Sequence, residues 1–116
     1  MSFALHIAFR NMEVSPAAET LVRQRADELQ HFASRISACR VVMDCVHRQN
    51  HVGRQYFVHI DLTLPGSTIV VNRDGGNDHV HDDLQVAIRD AFDSARRQLQ
   101  DHAHRQDGAS RRHAAI

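Results

Sequence analysis

The chain has 116 residues, 42% apolar and 24% charged, and its 14 basic side chains balance 14 carboxylates to a formal net charge of zero. That is enough for one domain with a single modest core, of ordinary globular composition. No apolar run approaches the ~20 residues that span a bilayer, and no basic block precedes an apolar one near Met1, so no membrane span and no secretory leader are expected, and a cytoplasmic protein is.

Phe3, Leu5, Ile7 and Phe9 alternate with Ala4, His6, Ala8 and Arg10. This period of two predicts a half-buried strand. Ser15-Pro16 reads as a helix N-cap followed by proline at the first helical position. Leu21, Val22, Leu29 and Phe32 mark the buried side of a helix from about Pro16 to Ser34. A second strand runs from Ser37 to Val46, with Cys39, Val41, Met43 and Cys45 on one face and Arg40, Val42 and Asp44 on the other. His47 to Arg54 is polar, contains Gly53 and reads as a loop.

The third strand spans Gln55 to Leu64, with Tyr56, Val58, Ile60, Leu62 and Leu64 inward and Phe57, His59, Asp61 and Thr63 outward. Pro65-Gly66 is a turn, and Thr68 to Asn72 a fourth strand. After the break at Asp74-Gly-Gly-Asn-Asp78, a long helix opens near Asp82, with Leu84, Ile88, Ala91, Phe92, Ala95 and Leu99 as its apolar stripe. The segment 107–116 lacks periodicity and is expected to be a mobile tail to a domain of residues 1–106.

The order β-α-β-β-β-α predicts a two-layer α+β fold. The crossover helix makes the first two strands parallel, and the short later links make strands two, three and four antiparallel neighbours. Both amphipathic helices cover one face of a four-stranded mixed sheet. The loops after strands two and four then fall at the same end of the sheet.

Charge is polarised along the last third. From Asp74 to Asp93 there are six aspartates and one arginine; from Ser94 to Ile116 there are five arginines and two aspartates. Every basic residue is Arg, which favours bidentate phosphate contacts. Acid first and base last also suits the helix dipole, and Asp93, Arg97 and Asp101 stand at i,i+4 spacings that support ordinary ion pairs. The composition therefore leaves two readings of Arg89, Arg96 and Arg97: a solvated helix face, or a rigid element that meets a phosphate backbone.

Ten histidines in one small domain are unusual. His47, His51, His79 and His81 lie in the two loops expected at one end of the sheet. There they form either a polar rim or a metal site, since neutral imidazole suits zinc, nickel or copper, although their spacing matches no zinc motif. Cys39 and Cys45 are too far apart along one strand for a disulfide and read as buried free thiols. Gly75-Gly76 lacks a phosphate-loop lysine, and a single outward aromatic, Phe57, does not make a base-stacking sheet.

Three segments carry a resemblance: Phe9-Arg-Asn-Met-Glu-Val-Ser-Pro16, Ile60-Asp-Leu-Thr-Leu-Pro-Gly66, and Asp83-Leu-Gln-Val-Ala-Ile88 with Arg97-Gln-Leu99. In this order and on this layout, the chain from about Phe3 to Arg105 resembles the short form of the ribosome hibernation-promoting factors, also called ribosome-associated inhibitors or sigma-factor modulation proteins. The resemblance implies a cytoplasmic, non-catalytic protein without cofactors that binds the small ribosomal subunit, contacts 16S rRNA and silences translation by occluding the channel for messenger and transfer RNA. It implies a monomer when free and no DNA or membrane partner. Carried over residue by residue, Arg25 and Arg97 stand at positions that the family tends to keep basic. Arg89, Arg96 and Arg105 on the same last helix extend that set, whereas Glu28 and Ser94 stand where well-known members carry basic residues. The alternatives are a histidine-rich metal-binding or metal-responsive module, and a fold retained for a protein partner.

Overall fold

The computed structural model describes residues 4–33, 35–46, 55–71 and 83–114, with side chains excepted at Val46 and beyond His102. Its elements are β1 (Ala4–Arg10), α1 (Pro16–Phe32), β2 (Ala38–Val46), β3 (Gln55–Leu64), β4 (Ser67–Val71) and α2 (Leu84–Ala114). The four strands form one sheet in the order β1-β2-β3-β4. β1 runs parallel to β2, while β2–β3 and β3–β4 are antiparallel. The expected α+β architecture is the observed one.

Alternation decides which side of the sheet is covered. Cys39, Val41 and Met43 on β2 are in register with Leu62, Ile60 and Val58 on β3, and all six are buried. Ile69 and Val71 continue this face on β4. Leu5, Ile7 and Phe9 extend it on β1, half-buried because an edge strand has a neighbour on one side only. Each fully buried aliphatic side chain here contributes about 1.5–3 kcal/mol.

The helices close this face. α1 buries Ala18, Val22, Ala26 and Leu29, and α2 buries Ala87, Ile88, Ala91, Phe92, Ala95 and Leu99. The α1 stripe differs from the one its large residues mark. Leu21 is half-buried and Phe32 exposed, while Ala18 and Ala26 take the core positions. Alanine has no side-chain bulk, so its presence under a helix lets the backbone sit close to the sheet.

Local chemistry sets the starts of both helices. Ser15 has extended dihedrals, and its hydroxyl oxygen accepts the Ala18 N–H at 3.2 Å, ahead of Pro16 in the first turn. Asp83 plays the same part for α2: its carboxylate accepts the Gln85 N–H at 2.8 Å, and its carbonyl accepts the Ala87 N–H at 3.1 Å. The two-residue turn between β3 and β4 relies on Gly66, at φ +71°, a region costly for any residue with a Cβ. As a backbone element α2 continues to Ala114.

The strand directions put the C-terminal ends of β1, β2 and β4 at one end of the sheet. Both helices begin there and run back the same way, so α1 and α2 lie parallel. At 1.5 Å per residue, the 31 residues of α2 outreach the 17 of α1, and the far part of α2 extends beyond the last turn of α1.

Candidate nucleic-acid interface

The outer side of the helix layer carries the arginines. Arg89 and Arg96 are seven residues apart, two turns of helix, and share one flank of α2. That flank faces α1. Arg25, Glu28, Leu29 and Phe32 of α1 and Phe92, Asp93 and Arg96 of α2 line a single shallow groove between the helices. Thus Arg25 and Arg96, on elements 50 or more residues apart in sequence, come to the same place.

Within the groove, Arg25 Nη1 donates to Glu28 Oε2 at 3.1 Å. Its Nε is buried without a hydrogen-bond partner. The Arg96 guanidinium carbon lies 4.7 Å from the centroid of the Phe32 ring, within the range of a cation–π contact. Arg97 is one residue further on, about 100° around the helix. Its Nη2 donates to Ser94 Oγ at 3.4 Å, a long bond at the edge of the useful range. The i,i+4 pairing of Arg97 with Asp93 or Asp101 is not formed.

Beside these arginines, Glu28 pairs with Arg25, and the buried Ser94 receives Arg97. Arg89 is exposed and Arg105 lies on α2, its side chain beyond the described residues. Sequence reasoning placed Phe32 in the core and missed its role at this surface. Its position in the last turn of α1, where a helix leaves the sheet, is the signal that could have found it.

The second region singled out by sequence is the loop end of the sheet. His47, His51, His79 and His81 all lie outside the described residues. The adjoining cleft is lined by Asn11, Ser15, Cys45, Tyr56, Asp83 and Leu84 among others. Among the described residues, no three His, Cys, Asp or Glu side chains are grouped so as to hold a metal ion. Both cysteines are free and buried. Burial pushes the Cys39 thiol from 9.0 up to about 12, and the Asp61 carboxylate adds to the rise; such a group is a poor nucleophile or metal ligand. Among the described residues, no helix is long and apolar enough to cross a membrane.

With this geometry in place, comparison with known proteins is informative. Residues 5–107 match the family described as sigma 54 modulation protein / S30EA ribosomal protein. The chain belongs to this family. The match takes in the sheet from Leu5 onward, α1 and the groove-lining part of α2. Two solved structures share the fold. A ribosomal subunit interface protein from Coxiella burnetii superposes with a TM-score of 0.72 at 18% identity, covering 88% of this chain and 99% of the other. The N-terminal domain of Thermus thermophilus Protein Y gives a TM-score of 0.63 at 20% identity, over 88% and 99% of the two chains. No curated protein matches the chain by sequence. Membership makes this a member of a ribosome-associated family, one not defined by an enzymatic activity.

Proposed function

We propose that this protein binds the small ribosomal subunit in the cytoplasm through 16S rRNA and silences translation by occupying the channel used by messenger and transfer RNA. It acts by occlusion, with no catalytic step and no cofactor. Arg25, Arg89, Arg96, Arg97 and Arg105 meet RNA phosphates.

The observation that carries this reading is the meeting of Arg25 and Arg96 at one groove on two parallel helices, in a chain that belongs to a ribosome-associated family. Folded RNA is recognised largely through phosphates and 2′-hydroxyls. Such recognition needs cations fixed on a rigid element and places no demand on net charge. A zero-charge protein meets it when its arginines share a face, as Arg25 and Arg96 do here.

The test is co-sedimentation with purified small ribosomal subunits over a salt series, comparing the wild type with the Arg96→Ala/Arg97→Ala double variant. Saturable binding is expected, weakening with salt, with lower affinity and a shallower salt dependence in the variant. A wild type that stays in the supernatant even at low salt and pH 6.5 overturns the proposal. A wild type that pellets without salt dependence overturns the RNA contacts and points to a ribosomal protein as the partner.

A further inference from the structure

Arg96 has an available partner that it does not use. Asp93 is three residues before it on α2, a spacing at which a carboxylate and a guanidinium readily pair. The guanidinium instead lies over Phe32 of the other helix, 4.7 Å from the ring centroid. Among the described residues, no hydrogen bond or ion pair takes up an Arg96 N–H. Stacking on a ring uses the flat face of the guanidinium and leaves its N–H donors unspent, whereas pairing with Asp93 would consume two of them.

Phe32 is itself out of place for a core residue. It is 40% exposed on the last turn of α1, with Arg96 over its ring. An aromatic in that position leaves part of its apolar surface in water. What the ring adds is a surface that attracts a cation.

We infer that Phe32 is a positioning residue of the RNA-binding surface: it holds the Arg96 guanidinium away from Asp93, with its donors free for a phosphodiester. The inference rests on the proposed binding of ribosomal RNA. Arg25, on the same groove, is the second cation of the site. Glu28 and Asp93 line the groove too. Two cations and two carboxylates cancel, so the groove attracts an RNA phosphate only if the arginines are kept from spending their donors on those carboxylates. Glu28 already takes one Arg25 nitrogen; Phe32 protects Arg96 from the other carboxylate.

A purely structural role is the competing explanation, in which Arg96 merely covers an exposed ring. The two are separated by co-sedimentation of small ribosomal subunits with wild type, Phe32→Leu, Phe32→Tyr, Arg96→Ala and the Phe32→Leu/Arg96→Ala double variant, each first checked for a wild-type circular dichroism spectrum. Phe32→Leu is expected to bind about 2- to 5-fold more weakly, the weight of one exposed cation–π contact. Its salt slope is expected to fall toward that of Arg96→Ala, by up to roughly 0.7–0.9 for one phosphate. Phe32→Tyr keeps the ring and is expected to bind like wild type. In the Arg96→Ala background the loss of Phe32 is expected to add nothing, because its effect passes through Arg96.

Wild-type affinity for Phe32→Leu overturns the inference, as does a Phe32→Leu loss that persists undiminished without Arg96, or a Phe32→Tyr variant that binds as weakly as Phe32→Leu. Any of these leaves the proposed function standing. Failure of the wild type to pellet removes the function itself.

Discussion

Asn11 Nδ2 donates to Asp44 Oδ1 at 2.9 Å, tying the residue that follows β1 to the neighbouring parallel strand. Asn11 is also the one non-glycine residue among those described with a positive φ, +57°. Asparagine tolerates the left-handed region better than most residues, and here its side chain also bonds across the sheet edge. This kink releases the chain from β1 and turns it toward the Ser15 cap. Asn11→Ala loses both properties and is expected to lower stability by about 1–2 kcal/mol; Asn11→Gly keeps the backbone and loses only the exposed bond, a smaller effect. Urea unfolding midpoints at an unchanged denaturant slope check the order of the two variants.

Ile60 and His59 are adjacent on β3 and face opposite sides of the sheet. Ile60 is fully buried, paired with Val41 and Val71 on its two neighbours. His59, half-exposed on the uncovered face, hydrogen-bonds Asp61 at 3.0 Å. Ile60→Ala is expected to cost about 2–5 kcal/mol, while His59→Ala changes stability by under about 1 kcal/mol. Equal losses in thermal unfolding would mean that the face away from the helices is covered as well.

The Cys39 thiol makes stability fall at high pH. Burial raises its pKa in the folded protein from 9.0 to about 12. The unfolded chain therefore loses this proton first. The contribution is fully present below pH 9 and is lost as pH rises from there toward 12. Cys39→Ala is expected to flatten this part of the pH–stability curve. At pH 8 the folded protein is expected to leave Cys39 unmodified by iodoacetamide, with labelling restored in denaturant; rapid labelling of the folded state would show that the thiol is accessible.

Glu28 holds Arg25 at 3.1 Å. Removing this carboxylate frees an arginine in the groove. Glu28→Gln is expected to tighten binding to small ribosomal subunits a few-fold at low salt and to steepen the salt dependence, with little change in stability because the pair is exposed. Weaker binding by Glu28→Gln would show that the ion pair orients Arg25 for its contact.

Much of the fold was written in local pattern. Period-two alternation marked the strands and which face of each is buried, because a strand places successive side chains on opposite faces whatever it packs against. Ser15-Pro16 marked the start of α1, since a cap is satisfied within its own turn. The parallel β1–β2 pair followed from connection length, and the arginines of α2 could be counted by eye. Other features depended on neighbours remote in sequence. Ala18 and Ala26 carry almost no hydropathy signal, yet they are the residues on which α1 rests, because how close a helix approaches is decided by the sheet beneath it. Phe32 reads as core in any hydrophobic pattern; only the position of α2, 60 or so residues on, turns it into the seat of Arg96. The resulting groove joins Arg25 to Arg96 because both helices run in the same direction over one sheet face, a relationship of packing that no local stretch of the chain contains.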